Sequence, residues 1–134
     1  MNRRMPKKVL LCDDEFHILR AAQIKVSRAG YDVRCGHDGE EGWQLIQQEM
    51  PDIVVTDLQM PRLDGIGLSR RIRENPATSH LPVLMLTAKG FEEAHRKMAA
   101  EWGVLAVLPK PFSANELVRH IGTILETGTI ELPA

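Results

Sequence analysis

Five polar residues fall just past four short apolar runs. Asp13 and Asp14 follow Val9–Cys12, Asp57 follows Ile53–Thr56, Thr87 follows Pro82–Leu86, and Lys110 comes just after Val104–Leu108. Three carboxylates brought together repel one another, and at least one pKa is raised unless a cation joins them. A hard divalent ion relieves that repulsion. Mg²⁺ takes one or two protein carboxylates, keeps several waters and accepts phosphate oxygens, so it suits this donor set. A hydroxyl and a compact lysine ammonium facing the same crevice would suit a phosphoryl group. Taken singly, each residue has a plainer reading. Asp14 could cap the first helix, Thr87 could belong to a turn, and Lys110 could be a solvated surface lysine. Their joint placement after consecutive apolar runs is what points to chemistry.

That placement needs strands. The runs Val9–Cys12, Tyr31–Cys35, Ile53–Thr56, Pro82–Leu86 and Val104–Leu108 are short and rich in β-branched residues and leucine, as expected of strands buried on both faces. Amphipathic stretches separate them. Residues 15–29 put Leu19, Ala22, Val26 and Ala29 on one face, with Gly30 as the stop. Residues 39–49 follow Asp38, which can cap the helix while Glu41 reaches back in a capping box. Residues 65–74 end at Asn75-Pro76, and residues 91–102 end at Gly103. Residues 114–126 open on the capping box Ser113-Ala114-Asn115-Glu116, with Leu117, Val118, Ile121 and Leu125 on the inner face.

Strands alternating with helices imply an α/β fold with a parallel sheet covered on both faces. Right-handed crossovers restrict it to doubly wound orders, here a flavodoxin-like (βα)₅ sheet of order 2-1-3-4-5. In that order strands 1 and 3 are neighbours at the switch point, where ligands bind outside the carboxyl ends of the strands. The expected domain is 7–126, with 1–6 and 127–134 as short tails.

Composition narrows the function classes. The 134 residues carry a formal net charge of −1, which gives no overall drive toward nucleic acid or a membrane surface. Cys12 and Cys35 sit on apolar runs and read as free, buried thiols. Arg3, Arg4, Lys7 and Lys8 open the chain as a solvated tail, and the apolar run behind them is too short for a leader or a membrane span. A cytoplasmic protein is expected. Asp13-Asp14-Glu15 would repel the phosphate of a flavin, and no helix-turn-helix stands outside the βα repeat.

Four motifs, in order, resemble the receiver domains of bacterial two-component response regulators. They are Cys12-Asp13-Asp14-Glu15, Thr56-Asp57-Leu58-Gln59-Met60-Pro61 with Asp64-Gly65, Leu86-Thr87-Ala88, and Lys110-Pro111-Phe112. The resemblance spans about residues 7–126. It implies that Asp57 is the phosphoacceptor, taking a phosphoryl group from a histidine kinase or a histidine phosphotransfer protein. It implies that Asp13, Asp14 and Asp57 hold Mg²⁺ together with the backbone carbonyl of Gln59. Thr87 and Lys110 would bind phosphoryl oxygens, and Lys110–Pro111 would be a cis peptide. Gln59 and Lys89 would influence hydrolysis of the aspartyl phosphate at the same site. The chain would therefore be a switch rather than an enzyme acting on other substrates, with phosphotransfer and autodephosphorylation on itself. A new phosphate brings about −1.5 to −2 charges. It would pull Thr87 inward and bias the face formed by helix 4, strand 5 and helix 5, changing the binding of an output protein that the sequence does not identify.

One position departs from the family. Val107 stands where receivers usually carry an aromatic residue whose rotamer couples to the hydroxyl, and Trp102 and Phe91 read as packing at the ends of helix 4. Three alternatives remain open from sequence. The chain could be a receiver-like module that works without phosphorylation, or a receiver cut from a longer regulator or hybrid kinase. It could also be an aspartyl-phosphate phosphatase of the haloacid dehalogenase type, although Gln59 stands where such enzymes carry a second aspartate. A start at Met1 close to the first strand and a short tail favour a stand-alone receiver. Phosphorylation-dependent dimerisation is left open.

Overall fold

A computed structural model describes residues 5–87, 93–110 and 113–130. Its elements are β1 (Lys8–Cys12), α1 (Phe16–Arg28), β2 (Asp32–Gly36), α2 (Gly39–Gln48), β3 (Ile53–Asp57), α3 (Gly65–Glu74), β4 (Val83–Thr87), α4 (Glu93–Glu101), β5 (Val104–Pro109) and α5 (Ala114–Thr127). The strands form one parallel sheet in the order β2-β1-β3-β4-β5. This is the expected doubly wound, flavodoxin-like fold. Ala88, Lys89, Phe91, Pro111 and Phe112, and with them the expected cis peptide, lie outside the described residues.

The two faces of the sheet carry separate cores. Val9, Leu11, Val55 and Leu86 pack with α1 and α5, while Leu10, Cys12, Val54 and Val83 pack with α2 and α3. This division follows from the strand period of two: alternate residues of β1 enter opposite cores. A third, smaller cluster joins Leu58, Ile66, Met85 and Ala99, with Trp102 and Val107 packed against it.

Burial on both faces holds for the three central strands and not for the edges. β3 and β4 are buried along their whole length, whereas β2 alternates and β5 is half-buried over most of its length. An edge strand has one neighbour only, so its helices cover less of it. For the same reason Cys35 on β2 is half-buried while Cys12 on β1 is buried; both thiols are free. Burial holds both thiols above their ordinary pKa, Cys35 at about 11.

The helix ends follow their signals with local changes. Gly30 takes φ +101° just after α1, and its N–H donates to the Ser27 carbonyl. Ala29 therefore lies past the helix and is exposed. Asp38 caps α2 by accepting from the Glu41 N–H, but the Glu41 carboxylate accepts from the N–H of His37, one residue further back than a capping box requires. At α5 the Ser113 hydroxyl oxygen accepts from the Glu116 N–H at 3.4 Å. α5 runs through Thr127, and Ile130 beyond it packs against the α1/α5 core, so part of the expected tail is folded onto the domain.

Candidate metal and phosphoryl site

β1 and β3 are hydrogen-bonded neighbours, with Cys12 opposite Thr56. Asp57 ends β3, and Asp13 and Asp14 follow β1, so the sheet's own register delivers all three acids to one edge. A carboxylate oxygen from each lies within 4.8 Å of the others. Asp13 and Asp57 are 3% and 4% exposed, whereas Asp14 is exposed to solvent. Asp57 stands opposite Leu86 in the β3–β4 ladder, which places Thr87, buried at the end of β4, one step beyond it.

Lys110 completes the inner site. Its N–H donates to the Thr87 carbonyl at 2.7 Å, tying the ends of β4 and β5 together. Its Nζ lies 2.9 Å from Asp13 Oδ2, 3.2 Å from Asp57 Oδ2 and 3.1 Å from Glu15 Oε1. Burial by itself would lower the pKa of this ammonium. The hydrogen bonds to Asp13 and Glu15 and the charges of Asp57 and Asp13 outweigh that effect and hold it above its ordinary value. The plain reading of a solvated lysine is thereby excluded.

Asp57 is held differently. Burial and then the Asp13 charge raise its pKa to about 6, against the lowering effect of Lys110 and of the Leu58 N–H that donates to Oδ1. A buried carboxylate with a depressed affinity for its own negative charge is one that a nearby cation would stabilise. Nor does Asp14 cap α1. The cap position is Glu15, whose N–H is taken by Asp13 Oδ1, and α1 has no side-chain cap. Asp14 is left at the rim of an open hollow that it shares with Gln59, Met60, Pro61 and Asp64. The side chain of Gln59 is exposed there.

Two residues of the quoted motifs had been given no role in the site. Glu15 reaches Lys110; its place beside the acidic pair was the available signal. Gly65 supports the acceptor from behind. A Cβ at Gly65 would lie 2.3 Å from the Asp57 carbonyl oxygen, so no larger residue fits without moving β3. The Asp64-Gly65 pair also starts α3, Asp64 accepting from the Gly67 N–H. Val107, in place of an aromatic residue, packs with Trp102 on the cluster that includes Leu58. Trp102 is thus a packing residue, as expected, and carries the Arg70 guanidinium 5.6 Å from its ring centroid.

A parallel sheet of this order, with three acids, a hydroxyl and a lysine at its switch point, defines a class of small doubly wound α/β domains with a charged site at the carboxyl ends of the strands. Residues 9–122 match the family described as "Response regulator receiver domain", and the chain belongs to it. It is 38% identical over 130 residues to the alkaline phosphatase synthesis transcriptional regulatory protein PhoP of Bacillus subtilis (strain 168), covering 97% of this chain and 53% of that one. It is 42% identical over 119 residues to the probable transcriptional regulator ycf27 of Guillardia theta, covering 89% and 45%. The chain spans about half the length of these curated relatives. Among solved structures, a response regulator from Chloroflexus aurantiacus J-10-fl matches with a TM-score of 0.83 and 36% identity, over 91% of this chain and 99% of that one. The role of the chain accordingly lies in phosphorylation-based two-component signalling.

Proposed function

We propose that Asp57 accepts a phosphoryl group from a phosphohistidine on a histidine kinase or histidine phosphotransfer protein, and that this switches partner binding. The observation that carries this reading is the meeting of three carboxylates within 4.8 Å, with Lys110 seated 3.2 Å from Asp57. All the donors are hard oxygens, two of them buried, and this fits Mg²⁺ held by Asp13, Asp14, Asp57 and the Gln59 carbonyl. Such an ion supplies charge neutralisation for an incoming phosphoryl group.

The chain's own residues do the rest. An Asp57 oxygen displaces the donor imidazole: the P–O bond forms as the N–P bond breaks, and the electron pair leaves with the ring nitrogen. Such a transfer depends on alignment and charge more than on a proton-transfer residue. Lys110 neutralises the phosphoryl oxygens, and the Thr87 hydroxyl donates to one of them. Hydrolysis by water attacking the same phosphorus would reset the switch. The added charge would bias the face of α4, β5 and α5 between two packings, by its differential interaction with each.

In this reading the switch unit is residues 7–126 and it works in the cytoplasm. Among the described residues no helix is long and apolar enough to cross a membrane. A second reading, in which the receiver acts on an attached output domain, is favoured by relatives of about twice the matched length.

Incubation with Mg²⁺ and acetyl phosphate should add one phosphoryl group by mass, and Asp57→Asn should abolish the gain. Undiminished labelling of the variant would overturn the acceptor assignment.

A further inference from the structure

The loop from Leu58 to Asp64 leaves the end of β3, carries Gln59, and is closed by the Gly65 N–H donating to the Leu58 carbonyl at 2.8 Å. At its far side it is fastened to the start of α2. Arg62 Nη2 lies 2.8 Å from Asp38 Oδ2, and the Gly39 N–H donates to the Leu63 carbonyl at 2.9 Å. Asp38 uses its other oxygen to cap α2 through the Glu41 N–H, so one carboxylate serves both the helix and the loop. The approach is close: a Cβ at Gly39 would fall 2.1 Å from the Leu63 carbonyl oxygen.

The backbone at the fastening point is unusual. Arg62 has φ +68°, the one non-glycine residue with positive φ among those described, and the Leu63 N–H turns back to the Pro61 carbonyl at 2.8 Å. Together these make a three-residue γ-turn of the strained hand. Glycine would adopt this conformation without steric cost. The arginine accepts the strain, and what its side chain gains is the Asp38 contact.

We propose that the Arg62–Asp38 pair is a strap that positions the loop bearing Gln59, and so presets the rim of the metal site. Arg62 and Asp38 are positioning residues, for they act through the loop backbone. This inference rests on the function proposed above, in which the Gln59 carbonyl is a metal ligand.

The test separates stability from positioning. Arg62→Gly relieves the backbone strain and removes the strap. Its melting temperature should equal or exceed that of the parent protein. Hydrogen exchange of the Gly39 amide in metal-free protein should nevertheless quicken about three- to fivefold, and the Mg²⁺ Kd measured by calorimetry should rise by a similar factor, the upper range open to an ion pair whose arginine is solvent-exposed. Arg62→Lys should restore much of both. Asp38→Asn, which keeps an oxygen for the Glu41 N–H, should reproduce the loss, and combining it with Arg62→Gly should add little. Unchanged Gly39 exchange in Arg62→Gly would overturn the strap. Faster exchange with an unchanged Kd would overturn its positioning role. Failure of the parent protein to bind Mg²⁺ would instead count against the proposed function, leaving the exchange result to decide the strap.

Discussion

The inner and outer halves of the site are built by different means. Asp13, Asp57, Thr87 and Lys110 sit at strand ends and are buried or nearly so, their relative positions set by the register of β1, β3, β4 and β5. Asp14 and Gln59 stand on loops at an exposed rim. The inner half is only partly neutralised from within: Lys110 bridges Asp13 and Asp57 at 2.9 and 3.2 Å. The rim has no such counter-charge on Asp14 among the described residues. Buried charges are costly unless paired, so the inner half has little freedom, whereas the exposed Asp14 side chain can reorient around a ligand at small cost.

Breaking the inner half should have the largest effect. Lys110→Ala leaves two buried carboxylates facing each other without a cation, and removing one partner of a buried pair costs on the order of 3 kcal/mol. Denaturant melts at neutral pH should show that loss, and saturating Mg²⁺ should recover a large part of it. Mg²⁺ affinity should hold or tighten, because a competing positive charge is gone; a collapse of metal binding would contradict the roles given to the inner residues.

A second effect sharpens the comparison through pH. Asp57 titrates near 6 in the folded protein against 3.8 for the free side chain. Between those values the folded state binds more protons than the unfolded state, so metal-free stability should fall as pH rises through the window. Asp57→Asn removes the buried charge. It should stabilise the metal-free protein at pH 7 by about 1–3 kcal/mol, a gain that shrinks toward zero below about pH 4. Paired melting curves across that range check both sign and window.

The rim should respond least. Asp14→Ala should change metal-free stability by less than about 0.5 kcal/mol, as exposed substitutions do. It should still weaken Mg²⁺ binding, which calorimetry would detect. Gln59→Ala keeps the backbone carbonyl and should leave Mg²⁺ affinity within about twofold, since its side chain supplies no ligand.

The same division explains what could be read from the residues alone. Every strand was visible as a short apolar run, and the helices between them in apolar spacing (15–29 and 114–126) or in cap and stop signals such as Asp38, Asn75-Pro76 and Gly103, because this alternation has few other solutions. The inner acids followed directly, since Asp13 and Asp57 close apolar runs that the topology makes neighbours. Less legible was anything set by tertiary contact. Glu15 reads as an ordinary first-turn acid until Lys110 is seen beside it at 3.1 Å. Asp14 reads as a helix cap, whereas Glu15 holds the cap position of α1 and its N–H donates to Asp13 Oδ1. Edge exposure of β2 and β5 depends on strand order rather than on local composition. The Arg62 turn left no signal, because an arginine at positive φ has no compositional mark.

The claim on which the account depends is that phosphorus is received at position 57. An aspartyl phosphate reduced with borohydride becomes homoserine, which peptide mass mapping can place. After labelling with acetyl phosphate and Mg²⁺, homoserine should be found at position 57 and nowhere else. Homoserine at position 13 or 14, or its absence from a protein that has gained phosphate, would contradict the account.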